Sequence, residues 1–439
     1  MAKILLISAN TRTAPYHVWP AGLMMIGGAL AAAGHEVRVH DLLFPAEPLP
    51  VTLTGFAPDL VGISVRNVDT VNSLADDELN TGALLQNLCA DIRRHRQAKI
   101  ILGGAGFSVM PRELLTASGA DCGVTGPGEL DIVSIAKKLL ADEPVPPLTM
   151  SGGFDRHPRP LLDVPLLTQY LRAGGIPGVL TKRGCRYRCV YCSYPRVDGG
   201  FFAPLDPRAV VAYVKQLEHH GVTEIFFTDS VFNDAAGHAV ALAEELLRQQ
   251  TRVRWAAYFT PEHLDQDELA LFQRAGLRAI ELGTDAASDE TLRGLGKPFR
   301  MARVFEFQET CNRLRIPCAH FVIFGGPRET PLTVTEGLAN LARLEHCVVI
   351  AASGVRIHAG TALHRLALRE GQIAADADLL CPAYYFSRAV NVSAMNEQIK
   401  QSFHGRRDRI FPPDQADEIT ATMRRLGYRG LLWDLAVRF

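Results

Sequence analysis

Twice along this chain short apolar runs alternate with helical stretches, and a segment rich in Pro and Gly, DEPVPPLTMSGGFDRHPRPLLDVPLL (142–167), separates the two series. Alternation of this kind belongs to parallel sheets, whose crossovers lay helices over both faces and leave the strands apolar on both sides. In the first series KILLIS, HEVRVHDL, LVGISV, KIILGG and DCGVTG read as strands, with helices over 23–33, 82–95 and 130–140. In the second, GVLTK, TEIFFTD, RVRWAAYF, LRAIELGT, CAHFVIFGG and VVIAASGVRI read as strands, with helices over 208–220, 239–250, 267–275, 301–314 and 332–344. The expectation is an α/β protein: a doubly wound parallel sheet (1–141), a surface linker (142–175), a partial (β/α)6 barrel (176–358) and a small, mostly helical C-terminal cap (359–439). In both sheet types ligands bind beyond the C-terminal strand ends.

Composition narrows the partners. With 46 basic and 47 acidic residues among 439, the net charge of -1 argues against nucleic acid or an anionic membrane surface. Nine cysteines, an odd number, do not suggest a disulfide framework and fit a reducing compartment. MAKILLISAN reads as a buried strand and not a signal peptide, and the longest apolar stretch, residues 22–34, falls short of the roughly 20 residues of a spanning helix. A soluble, cytoplasmic protein without a transmembrane segment is expected.

Within TKRGCRYRCVYCSYP stand Cys185, Cys189 and Cys192, spaced C-x3-C-x2-C directly after the first strand of the second series. One loop can aim three such thiolates at one point. A closed zinc site wants four ligands, and the nearest other Cys or His are His157, His219 and His220. An iron–sulfur cube with three protein thiolates would keep one iron open. The spacing alone leaves a partial zinc knuckle or three unrelated core cysteines as alternatives.

This motif, with Tyr191 before the last Cys, resembles the signature of the radical S-adenosylmethionine (SAM) enzymes, in which SAM chelates the open iron of a [4Fe-4S] cluster. Later stretches resemble the family's strand-end motifs in the same order. FFTDSVFND (226–234) implies Thr228 and Asp229 near the methionine end of SAM, where a carboxylate could accept from an ammonium group. IELGTDAAS (280–288) implies Asp285 on the ribose, where the family more often has Glu. FVIFGGPRET (321–330) implies Gly325 and Gly326 admitting the adenine, and Arg356 would face SAM or substrate. Lys182, Arg183, Arg186, Arg188 and Arg196 crowd the cluster loop, either as a docking field for an acidic electron donor such as flavodoxin or ferredoxin, or as ordinary solvated side chains. The remaining cysteines, Cys89, Cys122, Cys311, Cys318, Cys347 and Cys381, read as small core residues.

GGAGFS (103–108) lacks the third Gly of a dinucleotide fingerprint and follows a late strand, so a nicotinamide site is a poor reading. The first domain resembles instead the cobalamin-binding module fused ahead of many radical SAM domains, through residues 8–23, 58–67, 101–111 and TGPGE (125–129). The resemblance implies that Gly103, Gly104, Gly106, Gly126 and Gly128 let the backbone approach the cofactor's nucleotide tail, with Ser64 and Ser108 as hydrogen-bonding groups. No D-x-H-x-x-G motif surrounds His17, His35 or His40, so cobalamin without a His ligand is expected. A domain that has lost its cofactor is the competing reading. With only Cys89 and Cys122 in this half, a second cluster of the methylthiotransferase kind fails on count.

Together these resemblances imply a cobalamin-dependent radical SAM enzyme, most simply a C-methyltransferase. It would use a 5′-deoxyadenosyl radical and methylcobalamin to methylate an unactivated carbon. The substrate class stays open among small molecules, lipids and peptides, and Tyr384, Tyr385, Phe386 and His404 are expected to cap its cavity. Two alternatives stand beside it: the same cofactors in a non-methylating rearrangement, cyclisation or oxidation, and a non-catalytic corrinoid- or redox-sensing binding protein.

Overall fold

A computed structural model describes every residue except 15, 76–79, 201, 234 and 235, so Pro15 and Asp234 of the quoted motifs lie outside the described residues. The first sheet has six strands, β1 (Lys3–Ser8), β2 (Glu36–Asp41), β3 (Leu60–Ser64), β4 (Lys99–Gly103), β5 (Cys122–Thr125) and β6 (Leu148–Met150). Their order is β2-β1-β3-β4-β5-β6 and every pairing is parallel. Helices on both faces explain why Ile4 to Ile7 are all buried: inward and outward positions alike meet apolar neighbours. Strand order reverses between β1 and β3, and a crevice opens at that switch point.

β6 corrects one expectation, because it comes out of the segment read as linker. Leu148, Thr149 and Met150 pair with Gly123, Val124 and Thr125. A strand of three residues carries too little pattern to be seen in sequence, and the prolines around it mark an edge. The helix Val164–Arg172 also falls in this stretch, started by Asp163, whose side chain accepts from the Leu166 amide.

The second sheet is an open parallel barrel of seven strands: β7 (Gly178–Val179), β8 (Glu224–Phe227), β9 (Arg254–Phe259), β10 (Leu277–Asp285), β11 (Cys318–Phe324), β12 (Cys347–Ser353) and β13 (Arg409–Ile410). Outward positions such as Trp255, Ile280 and Val322 pack into one large core beneath the helices. β13 is the second correction. It comes from the region read as a helical cap and extends the sheet through Val349 and Ile350. The same region sends Leu379 into the first domain's core and closes the bottom of the barrel with Leu431, packed on Ile176, Phe226, Ala256 and Ala279. Among the described residues no helix is long and apolar enough to cross a membrane.

Candidate functional site

One cavity of about 360 Å³ lies between the C-terminal edge of the first sheet and the barrel. Ser64 at the end of β3, Gly103 and Gly104 after β4, and Gly126 and Gly128 after β5 line it, as do Thr228 and Tyr258 from the barrel. The loops fit a large ligand. Gly104 has φ +98°, and a Cβ there would stand 2.5 Å from the Val65 carbonyl oxygen, so only glycine serves. Gly22 lines the cavity with nothing within 4 Å of where a Cβ would be, which leaves open room against the helix Ala21–Ala32. Ser108 donates to the Gly104 carbonyl at 2.8 Å and accepts from the Gly126 amide at 3.0 Å, tying the two loops together. Gly106 does not line the cavity; a Cβ there would crowd the Arg66 carbonyl oxygen at 2.9 Å, so its smallness serves packing. None of His17, His35 and His40 lines the cavity, and His40 faces Thr52 across 3.3 Å. Arg66 lines it instead.

The three-cysteine loop leaves the barrel after β7. Gly184, with φ +81°, turns the chain, and the Val190 amide anchors on the Leu295 carbonyl at 3.0 Å. Cys185, Cys189 and Cys192 are each partly accessible, whereas Cys89, Cys122, Cys311, Cys318 and Cys347 are buried. Cys381 is exposed, against the expectation of a core residue, because it sits in the turn-rich stretch ahead of the Tyr384–Tyr385 strand. Burial pushes the Cys192 thiol up to about 12, so its thiolate calls for a nearby positive centre. Lys297 is one, and it pulls the Cys189 thiol down against the larger effect of burial. Among the described residues no group of three or more His, Cys, Asp or Glu could hold a metal ion as they stand. A cube places each thiolate on a different iron, so its three sulfurs need not converge on one ion.

Several side chains read as SAM contacts are engaged elsewhere. Asp229 is fully buried and accepts from the Thr181 and Lys182 amides at 2.8 and 3.2 Å, locking β7 to β8. Arg356 gives Nε to Asp69 at 2.7 Å and its remaining donors to the carbonyls of Ile357, Leu379 and Ala383, so it clamps the domains and does not face the cavity. Asp285 accepts from the Tyr191 hydroxyl at 2.5 Å and pairs with Lys297, which places it beside the cluster loop. A Cβ on Gly325 would stand 2.9 Å from Phe386, and one on Gly354 at 2.5 Å from the same ring. Phe386 therefore covers the ends of β11 and β12, while Tyr385 is buried in the barrel's outer core. Thr228 and the pair Gly103 and Gly104 do line the cavity.

The tertiary structure adds residues that sequence reasoning passed over. Arg183, at the root of the cysteine loop, pairs with Glu129 of the first domain and with Asp198 at 2.8 Å. Glu129 stands in the quoted TGPGE, which was read only for its glycines. Its second oxygen is buried, without a partner, in the lining of the cavity. The charge-rich loop thus divides: Lys182 is buried on the Phe232 carbonyl at 2.7 Å and Arg183 is paired, while Arg186 and Arg188 remain exposed.

A doubly wound domain and an open barrel that share one cavity, with a three-thiol loop at the barrel's first strand end, define a two-domain enzyme of the radical SAM type with a fused cofactor module. Comparison with known families agrees: residues 179–338 match the radical SAM superfamily and residues 7–136 the B12 binding domain. The chain belongs to the cobalamin-binding branch of the radical SAM enzymes. It is 26% identical to tryptophan 2-C-methyltransferase of Streptomyces laurentii over 437 aligned positions, 81% of this chain and 72% of the relative. It is 22% identical to hopanoid C-3 methylase of Methylococcus capsulatus, covering 68% of this chain and 60% of that protein. Among solved structures, the radical SAM methyltransferase TsrM of Kitasatospora setae, with cobalamin and a [4Fe-4S] cluster bound, superposes with a TM-score of 0.85 at 24% identity. That match covers 99% of this chain and 97% of the other.

Proposed function

We propose that this protein is a cobalamin-dependent radical SAM C-methyltransferase acting on a small molecule. The observation that carries the reading is a cavity lined by both domains, since a methyl donor in one half and a radical or methyl source in the other must reach the same substrate carbon. Gly103, Gly104, Gly126 and Gly128 would admit the nucleotide tail of cobalamin, with Ser64 and the free oxygen of Glu129 as acceptors for its amide groups. Cys185, Cys189 and Cys192 would hold the cluster, and Thr228, from the cavity wall, is the SAM contact we retain. When bound, these groups supply the methyl transfer and the one-electron chemistry; the protein supplies placement and exclusion of water. Lys297 holds positive charge beside the thiols and fixes Asp285, which in turn orients Tyr191. Arg183 ties the cysteine loop to the first domain and sets the distance between the two halves of the cavity.

The exposed Arg186 and Arg188 favour an acidic electron donor of the flavodoxin or ferredoxin kind, and nine free cysteines favour a reducing compartment such as the cytoplasm. Tryptophan, the substrate of the Streptomyces laurentii methyltransferase, heads the substrates to try. The test is anaerobic: reconstitute the chain with iron, sulfide and hydroxocobalamin, then supply SAM carrying a deuterated methyl group, a reductant and candidate substrates. A labelled methyl on carbon in the product, with about one cobalamin retained per chain, is the expected result. Substrate conversion without the label would move the assignment to non-methylating chemistry, and SAM left intact under every reductant would refute an enzyme.

A further inference from the structure

The inner face of the barrel holds a carboxyl group that no cofactor loop uses. Tyr258, Glu281, Ala319 and Val348 are partners in register across β9, β10, β11 and β12, so they form one layer of the barrel interior. Glu281, Ala319 and Val348 are buried. One layer nearer the C-terminal strand ends stand Gly283, Phe321 and Ile350, and all three are partly accessible although their outward neighbours Leu282, Val322 and Val349 are buried. Solvent-sized space therefore reaches into the barrel down to the Glu281 layer. A Cβ on Gly283 would make only ordinary contacts, with the Phe259 carbonyl oxygen at 3.7 Å and the Asp285 carboxylate at 3.9 Å, so the missing side chain leaves room above Glu281. Tyr258, beside Glu281, lines the interdomain cavity, so the chamber and the cavity meet there.

Glu281 has an unusual environment for a carboxyl group. Its Oε1 accepts from the indole Nε1 of Trp433 at 3.1 Å, and among the described residues it makes no other hydrogen bond and no ion pair. The chamber's accessible walls, Phe321, Ile323, Ile350 and Ala352, bring no cation. Unlike the second oxygen of Glu129, Oε2 of Glu281 is not sealed off, so it opens on the chamber and can take a donor there.

Resting on the methyltransferase reading for its substrate, we propose that Glu281 anchors that substrate. Its Oε2 takes a hydrogen bond from an N–H group on a small aromatic or apolar molecule seated in the barrel chamber. Above a pH of about 7 the group is a carboxylate, which only accepts, so the ligand must donate. The walls are apolar and aromatic, so the ligand's body must be too. Trp433 already makes this contact with Oε1 from the floor, which shows that an indole-type N–H suits the geometry.

The test uses the full chain reconstituted with cluster and cobalamin at a pH well above about 7, so that Glu281 is ionised, titrated calorimetrically with indole and with 1-methylindole, which differ at the donor. Indole should bind about tenfold more tightly, the worth of one hydrogen bond to a charged acceptor. Glu281→Leu should abolish that preference, Glu281→Gln, which keeps an acceptor oxygen, should retain part of it, and Trp433→Phe should leave it in place. The wild-type comparison needs no variant to fold. Equal binding of the two probes, no binding of either, or a preference that survives Glu281→Leu would overturn the proposal. Methyl transfer without any N–H preference would refute this inference alone, whereas the preference without methyl transfer would refute only the proposed activity.

Discussion

Removing Asp69 would test the clamp between the domains. Arg356 and Asp69 are 3% and 6% exposed, and their Nε to Oδ2 contact is 2.7 Å. In Asp69→Ala the guanidinium would stay buried with carbonyl partners from Ile357, Leu379 and Ala383 and no full counter-charge. Stranding one member of a buried pair costs about 3–5 kcal/mol, and the three carbonyls argue for the lower end, about 3 kcal/mol. The Val71 amide would also lose the other Asp69 oxygen, at 2.9 Å, a neutral-donor bond worth about 1 kcal/mol. Because the residues belong to different domains, the loss should appear first as weaker cobalamin retention, then as a lower urea midpoint. Urea unfolding followed by tryptophan fluorescence, with cobalamin absorbance recorded alongside, measures both. The double variant Asp69→Leu with Arg356→Met should recover most of the loss, since a packed apolar pair often replaces a buried ion pair at little cost. A loss under about 0.5 kcal/mol in Asp69→Ala, or strict additivity in the double-mutant cycle, would refute the clamp.

Three shorter predictions concern the site. Gly22→Leu should lower cobalamin occupancy several-fold at unchanged melting temperature, because its side chain would enter space where nothing now stands within 4 Å; unchanged occupancy would mean the cofactor lies elsewhere. Cys192→Ala should remove the cluster's visible absorbance while Cys381→Ala leaves it intact, and a cluster retained in the first variant would sink the three-thiol assignment. Burial pushes Glu281 from 4.5 up to about 7, so the native state keeps a proton that the unfolded chain has already released. Stability should therefore fall as pH rises from the lower to the higher value, by about 3 kcal/mol, and level off above it. Glu281→Gln should lack that fall, and parallel wild-type and variant profiles between pH 4.5 and 7 would contradict it.

Local chemistry was enough to read a good part of this protein from its sequence. The apolar runs, their helical spacers and the C-x3-C-x2-C loop each depend on neighbours within one element, and the helix at Met301–Leu314 falls where the pattern puts it. The glycines after β4 and β5 were legible for the same reason, since a positive φ or a close backbone approach selects glycine wherever it occurs. Side-chain direction was not legible. Asp229 and Arg356 occupy the strand ends that the resemblance assigns to SAM, yet which way a strand-end side chain turns depends on what the other domain or the next strand brings to it. Asp69 lies 287 residues from Arg356, and Glu129 lies 54 from Arg183. β6 and β13 escaped notice because two or three residues of strand carry no period of their own and are fixed only by the sheet edge they join. Glu281 is the extreme case: one acidic residue in an apolar run looks like an exposed position, and only closing the barrel turns it inward over Trp433. The sequence by itself determined the two α/β domains and the thiol loop, because these follow from periodicity and spacing along the chain, and it pointed to the cofactors through the resemblance its motifs carry. The shared cavity, the clamp across it and the carboxyl at its floor were decided by tertiary structure alone, because each depends on residues that meet only when the two sheets pack.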